Sequence, residues 1–91
     1  MVEVGEARMA SRLNPAQILT LISHISPSKF ELVHNREMTL YFFNEGKPEG
    51  VATCELEFLG DIREGVIQLG YDLTDEWRGK GEGGFVYTRN T

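Results

Sequence analysis

The feature that constrains the fold most is one short amphipathic helix. Asn14 is a favourable N-cap, and Pro15 takes the first helical position, where its missing N–H group costs nothing. Gln17 can bond back to the cap, and Pro27 ends the helix because the residue before a proline avoids helical geometry. One apolar stripe follows the helical spacing: Ile18, Leu21, Ile22 and Ile25. The sequence therefore predicts a helix over residues 14–26 whose stripe is buried against a sheet.

The rest of the chain consists mainly of short segments rich in apolar and β-branched residues. They predict strands over residues 30–34, 38–43, 51–59, 66–73 and 85–89. Because the turns between them are short, successive strands are expected to pair antiparallel. We therefore expect one α+β domain over residues 1–91, with an antiparallel four- or five-stranded sheet (meander) and one helix packed on one face. A further short strand is predicted before Ser11.

The alternation also predicts which side chains face the helix. The expected inward set is Ala52, Cys54, Leu56 and Phe58, together with Ile67, Leu69 and Tyr71. The expected outward apolar set is Tyr41, Phe43 and Val51. A helix of this length is about 18 Å long, whereas the sheet is about 20 Å or more across. One helix cannot cover both faces, so part of the outer face is expected to meet solvent or a partner.

Composition narrows the class of protein. The 91 residues carry a formal net charge of −5, which disfavours a partner such as nucleic acid. The first residues are not those of a signal peptide, and no apolar run approaches the roughly 20 residues of a membrane helix. The single cysteine cannot form an internal disulfide. We expect a cytoplasmic protein with no membrane or nucleic-acid partner, compatible with a basic or amine-bearing one.

Residues 65–84 carry the strongest functional signal. The predicted strand at 66–73 runs into residues 74–84, which contain four glycines and mixed charge and are expected to form a loop. Glycines allow several backbone N–H groups to converge on one point, and an anion can occupy that point. With Arg78 and Lys80 beside them, these glycines indicate a possible phosphate cradle.

This order of features resembles the GNAT superfamily of acyl-CoA N-acyltransferases. GYDL at residues 70–73 is similar to the end of the family's central strand, and DEW at 75–77 is similar to the acidic turn after it. RGKGEG at 78–83 fits the family pattern R-x-x-G-x-G. EGKPEGV at 45–51 is similar to the hairpin before the family's second central strand, so the resemblance covers about residues 38–83.

The resemblance implies a cofactor and a site. In the family this loop binds the CoA pyrophosphate through backbone N–H groups, and the matching residues are Arg78, Gly79, Lys80, Gly81, Glu82 and Gly83. Acetyl-CoA would be the donor and an amine the acceptor of an N-acetyltransferase. No residue matches a catalytic motif of the family.

An alternative comes from residues 85–91, where the family has a long helix and then a further half-domain. Here the segment is aromatic and β-branched, which favours a strand. The alternative is a non-enzymatic interaction module that binds a protein or small molecule. Its surface would be the uncovered sheet face, the terminal strand edge or Trp77, which is expected either to fold back on the sheet or to anchor a partner.

Other candidate groups point to ordinary structural roles. Glu55, Glu57 and Asp72 would lie on neighbouring strands, where a carboxylate could act as a base but a solvated sheet face is the favoured interpretation. His24 and His34 have no partner at ligand spacing, so no metal site is predicted. Cys54 is expected to be buried.

We expect the protein to form a two-fold homodimer. Tyr41, Phe43 and Val51 would expose an apolar patch, and residues 85–89 would offer an unpaired strand edge. Closed two-fold dimers are the commonest oligomers, and one would cover both features.

Overall fold

A five-stranded antiparallel sheet carries both helices on one of its faces. The computed structural model describes residues 12–90. Its strands are β1 (Lys29–His34), β2 (Glu37–Asn44), β3 (Lys47–Glu55), β4 (Tyr71–Gly79) and β5 (Glu82–Arg89). Its α-helices are α1 (Pro15–Ile25) and α2 (Leu59–Gln68), the second preceded by a 3₁₀ turn (Leu56–Phe58). The predicted α+β class with an antiparallel sheet is confirmed. The strand predicted before Ser11 lies outside the described residues.

Helix α1 begins and ends as its sequence predicts. The Asn14 side chain accepts a hydrogen bond from the Gln17 backbone N–H at 2.8 Å, and the Gln17 side chain accepts one from the Asn14 backbone N–H at 2.9 Å. Ser26 closes the helix with a positive φ of 51°. Ile18 and Ile22 are fully buried, so the apolar stripe faces the sheet.

The strand order is β3-β2-β1-β5-β4, with every neighbouring pair antiparallel. Strands β1 to β3 form a meander, and the β4–β5 hairpin joins it through pairing of β5 with β1. Strand β5 therefore lies inside the sheet, and the prediction of an unpaired edge at residues 85–89 is wrong. The edges are β3 and β4, because α2 carries the chain from one side of the sheet to the other.

The predicted turn at residues 60–65 is wrong, and the predicted strand at 66–73 is right only from residue 71, because α2 extends to Gln68 and β4 begins at Tyr71. Ile62 and Val66 are fully buried, and Leu59 packs partly buried beside them, which gives the helical spacing i, i+3, i+7. Ile67 and Leu69, expected to face inward, are instead exposed. A second helix therefore joins the single one predicted, on the same face of the sheet.

The predicted loop at residues 74–84 is a hairpin. Strand β4 continues to Gly79, the turn is Lys80 and Gly81, and β5 begins at Glu82. Gly81 has a φ of +74°, which suits glycine, and a β-bulge interrupts the ladder near Thr74. The polar residues of β4 are compatible with a strand because β4 lies at an edge, where only Tyr71 is buried. The strand predicted at 85–89 is confirmed as part of β5.

The core lies between the helices and the inward face of the sheet. Its buried side chains are Ile18, Ile22, Phe30, Leu32, Met38, Leu40, Phe42, Ala52, Cys54, Ile62, Val66, Tyr71, Phe85 and Tyr87. Ala52, Cys54 and Tyr71 face inward as predicted. The strand predicted at residues 51–59 ends at Glu55, so Leu56 and Phe58 lie in the 3₁₀ turn and pack at the margin of the core. The Tyr71 hydroxyl donates to the Pro27 carbonyl oxygen at 2.6 Å, which ties β4 to the end of α1.

Candidate functional site

The face of the sheet opposite the helices is the first candidate surface. It presents apolar side chains from all five strands, and we call the following set the open face: Val33, Tyr41, Phe43, Val51, Trp77 and Val86. Val51 is 52% exposed, Tyr41 42% and Trp77 38%. The predicted outward orientation of Tyr41, Phe43 and Val51 is confirmed, although Phe43 is half-buried, with the Lys29 Nζ atom 5.1 Å from its ring centroid.

Trp77 lies flat on the open face because the residue paired with it is a glycine. Gly84 is the register partner of Trp77, and the indole Cε2 and Nε1 atoms lie 2.4 Å from the point where a Cβ would sit at position 84. Any larger residue would displace the ring. Trp77 is thus part of strand β4 rather than a loop, folded against the sheet yet still more than a third exposed.

Charged groups on and around the open face are arranged in exposed pairs. Lys29 and Glu31 form an ion pair at 3.8 Å, and Arg12 bridges Glu37 at 3.1 Å and Glu55 at 3.8 Å. Pairs this exposed contribute little to stability. They do orient the polar groups that surround the apolar side chains.

The three acids singled out in the sequence are not brought together. Glu55 lies at the end of edge strand β3, and Glu57 follows in the 3₁₀ turn. Asp72 lies on β4, at the opposite edge of the sheet. The structure therefore assembles no shared carboxylate site from them.

The six residues matched to the GNAT loop form the tip of the β4–β5 hairpin. A shallow hollow there is lined by His34, Arg78, Gly79, Gly81 and Glu82. Gly83 lies against His34, whose Nε2 atom is 3.0 Å from the position of an added Cβ. Within residues 12–90, β5 rather than a helix follows this hollow, so it lacks the helix N-terminus that follows the loop in the GNAT family. Binding of CoA pyrophosphate by residues 78–83 stays a prediction.

A second candidate surface lies between helix α2 and edge strand β4. This hollow, which we call the α2–β4 groove, is lined by Gly60, Arg63, Glu64, Ile67, Leu73 and Tyr87. The Arg63 Nε atom donates to the Tyr87 hydroxyl at 2.9 Å, and its guanidinium lies 4.0 Å from the Phe85 ring centroid. Arg63 is therefore held against the sheet, while Ile67 and Leu73 stay exposed at the rim.

The sequence does not predict this groove, because residues 60–65 read as a turn between two strands. The helical spacing of Leu59, Ile62 and Val66 is the signal that could have located it. When Leu59, Ile62 and Val66 form the buried stripe of a helix, Arg63, Glu64 and Ile67 lie outside that stripe.

The remaining candidates are structural. Cys54 is fully buried, and burial raises the pKa of its thiol, with the carboxylates of Glu55 and Glu57 adding to the rise. Within residues 12–90, no cluster of histidine, cysteine and carboxylate side chains could hold a metal ion. No helix in the same range is long and apolar enough to cross a membrane.

Comparison of the chain with protein-family models, with curated proteins and with solved structures finds no match. Its function is therefore inferred from the open face, the hairpin tip and the α2–β4 groove.

Proposed function

We propose that the protein is a non-enzymatic interaction module that forms a two-fold homodimer through its open face. The observation that carries the proposal is the position of both helices on the same side of the sheet. Tyr41, Val51 and Trp77 are left exposed, and no other part of residues 12–90 covers them. Contiguous exposed apolar patches on a small domain usually mark an interaction surface.

The size of the face matches a weak dimer. Its longer strands have eight or nine residues, and five strands lie side by side. At standard spacings the face measures about 20 by 26 Å, so two copies would bury about 1,000 Å² in total. That area lies at the low end for specific interfaces, which start near 1,000–1,200 Å². We therefore expect dissociation at micromolar rather than nanomolar concentration.

The charges on the face suit self-association. Lys29 and Glu31 lie on the open face and carry opposite signs. A two-fold axis near this pair would place the lysine of one copy opposite the glutamate of the other. The net charge of −5 opposes association, but salt at physiological strength screens charges beyond about 8 Å.

Sedimentation equilibrium tests the dimer. The wild-type mass should rise from the 10.3 kDa of one chain toward twice that value as concentration increases. Val51→Lys should weaken association by about tenfold or more, because it places a charge in the apolar interface. Ile67→Lys adds the same charge at an exposed apolar position on the helix side and should leave association unchanged. A single species of monomer mass up to several hundred micromolar would remove the proposal.

A second candidate function is acyl-CoA binding at the hairpin tip. It is favoured by the hollow at which His34 meets four of the six residues matched to the GNAT loop, Arg78 among them. Millimolar acetyl-CoA should then raise the melting temperature, since a ligand of the native state stabilises it. Arg78→Ala should abolish the shift, and Lys47→Ala, which removes one positive charge at the other end of the sheet, should not. No shift with the wild-type chain would exclude this function.

A further inference from the structure

We propose that strand β4 and the α2–β4 groove together bind an extended, basic segment of a partner protein, which adds a sixth strand to the sheet. This site is distinct from the open face, so the proposal does not depend on the dimer. It rests on three features of the described residues: a bare strand edge, the sign of the charges along it, and an apolar hollow beside it.

The two edges of the sheet differ in how they are protected. Edge strand β3 contains Pro48, and the Leu13 backbone N–H donates to the Thr53 carbonyl oxygen on it at 2.9 Å. These are features that block further pairing. Strand β4 runs for nine residues without proline or lysine, and β5 is its only neighbour within residues 12–90. A β-bulge interrupts β4 between Leu73 and Asp75, and the Glu76 backbone N–H donates to the Asp75 carboxylate at 2.9 Å. The other outward N–H and C=O groups, on either side of this bulge, are available to another strand.

The charges beside β4 define the occupant. Asp72, Asp75 and Glu76 are exposed along the strand, and Glu64 lies on α2 at the wall of the groove. Arg78, at the hairpin end of β4, offsets one of these charges. Arg63 does not, because it is bonded to Tyr87 and stacked on Phe85 inside the groove. A partner strand with lysine or arginine at alternate positions would meet carboxylates on both sides of the edge.

These charges also argue against a second copy of β4 as the occupant. Two β4 edges paired about a two-fold axis near Asp75 would bring Asp75 and Glu76 of both copies together, and like charges on adjacent strands destabilise pairing. A basic strand removes this repulsion.

The groove supplies a place for an apolar side chain. Ile67 is 55% exposed and Leu73 is also more than a third exposed, and they flank a floor formed by Tyr87. In a strand added to β4, every second side chain points to the helix side of the sheet. Main-chain hydrogen bonds would provide affinity and the groove would select a leucine-sized residue, which is how added strands are generally recognised.

The test uses the full chain and a short blocked peptide, KLKLKLK. One control replaces each lysine by glutamate, and a second keeps the charge but carries N-methyl groups on alternate backbone nitrogens. Titration followed by amide NMR should give shifts concentrated in residues 60–67 and 71–79. The unmodified basic peptide should bind at least about tenfold more tightly than either control, since one control loses charge complementarity and the other loses strand pairing.

Matched variants locate the site. Glu76→Lys should weaken binding of the peptide by about fivefold or more. Glu49→Lys makes the same charge change on the other edge strand and should alter binding less than about twofold. Val51→Lys, designed against the dimer, should have no effect.

Three results would overturn the proposal. Equal binding of the N-methylated peptide would mean charge attraction without strand addition. Shifts confined to the open face or to β3 would place the peptide elsewhere. No saturable binding at millimolar peptide would mean that the β4 edge does not accept this chemistry.

Discussion

The pairing of Trp77 with Gly84 shows how a single missing side chain positions a large one. The indole lies where a Cβ would be, so the glycine is required by its neighbour rather than by its own backbone angles. Gly79, which lies two residues after Trp77 on β4, has nothing within 4 Å of an added Cβ. Replacing each glycine by alanine therefore separates the effect of packing against Trp77 from the effect of reduced backbone flexibility.

We predict that Gly84→Ala tilts the indole off the sheet. Its tryptophan fluorescence should shift to longer wavelength, and stability should fall by about 1 kcal/mol, at the low end for overpacking because the ring is free to move outward. Gly79→Ala should leave the emission unchanged. Identical spectra for the wild type and Gly84→Ala would mean that Trp77 does not rest on Gly84.

Because the Cys54 thiol is buried, we expect the stability of the protein to fall at alkaline pH. Burial raises its pKa above the ordinary value of 9.0, so the folded chain holds this proton more tightly than the unfolded chain does. Stability from this group is fully present below that pH and is lost as pH rises through the folded pKa. Tyr71 acts in the same direction, because burial raises the pKa of its hydroxyl and Arg89 offsets only part of that rise.

Urea unfolding between pH 7 and pH 10 should therefore show a declining free energy of unfolding, with a shallower decline in Cys54→Ala. The thiol should also resist an aromatic disulfide reagent in the folded protein and react in urea. A variant that declines as steeply as the wild type would contradict the role of the thiol.

At the scale of elements, the two helices differ in how far local sequence determines them. In α1, Asn14, Pro15 and Gln17 interact only with their neighbours, so the helix start could be predicted. In α2 the same residues fit both a helical pattern and the alternating pattern of a strand. Val66 satisfies a helical stripe with Ile62 but also opens an alternating run that ends in Leu73. Only the burial of Ile62 and the exposure of Ile67, which depend on tertiary packing, decide between them.

The glycines of α2 act in opposite ways. At Gly65 the Leu19 Cδ1 atom lies 2.5 Å from an added Cβ, because α1 and α2 approach closely there. At Gly60 nothing lies within 4 Å. We predict that Gly65→Ala destabilises the protein by about 0.5–2 kcal/mol, because overpacking against the Leu19 side chain outweighs the gain in helix propensity. Gly60→Ala should stabilise it by about 0.5–1 kcal/mol through helix propensity. Thermal and urea unfolding measure both, and equal effects would contradict the close approach at Gly65.

At the scale of the whole molecule, strand order could not be predicted. Short turns correctly indicate β1–β2–β3, but the same rule wrongly pairs the strand at 51–59 with the next one, since β3 and β4 are opposite edges. The pairing of Leu32 with Phe85 joins residues far apart in sequence. That pairing determines which strands become edges. The open face was accessible from sequence because alternation assigns Tyr41 and Val51 to one side whatever the order. The α2–β4 groove was not, because it requires both the second helix and the position of β4.

The two proposed surfaces should respond oppositely to salt. Dimerisation brings together copies that each carry −5, and their contact is mainly apolar. Raising sodium chloride from about 50 mM to about 500 mM shortens the screening length from roughly 14 Å to 4 Å and reduces this repulsion. The dissociation constant of the dimer should therefore stay the same or fall. Binding of the basic peptide depends on attraction to Asp72, Asp75 and Glu76, so its dissociation constant should rise by about fivefold or more.

Sedimentation and peptide titration at the two salt concentrations measure both effects on the same protein. Val51→Lys serves as the control, because it should weaken the dimer and leave the salt response of peptide binding intact. If dimerisation weakened together with peptide binding, charged contacts would dominate both surfaces, and the apolar side chains of the open face would not be the basis of self-association.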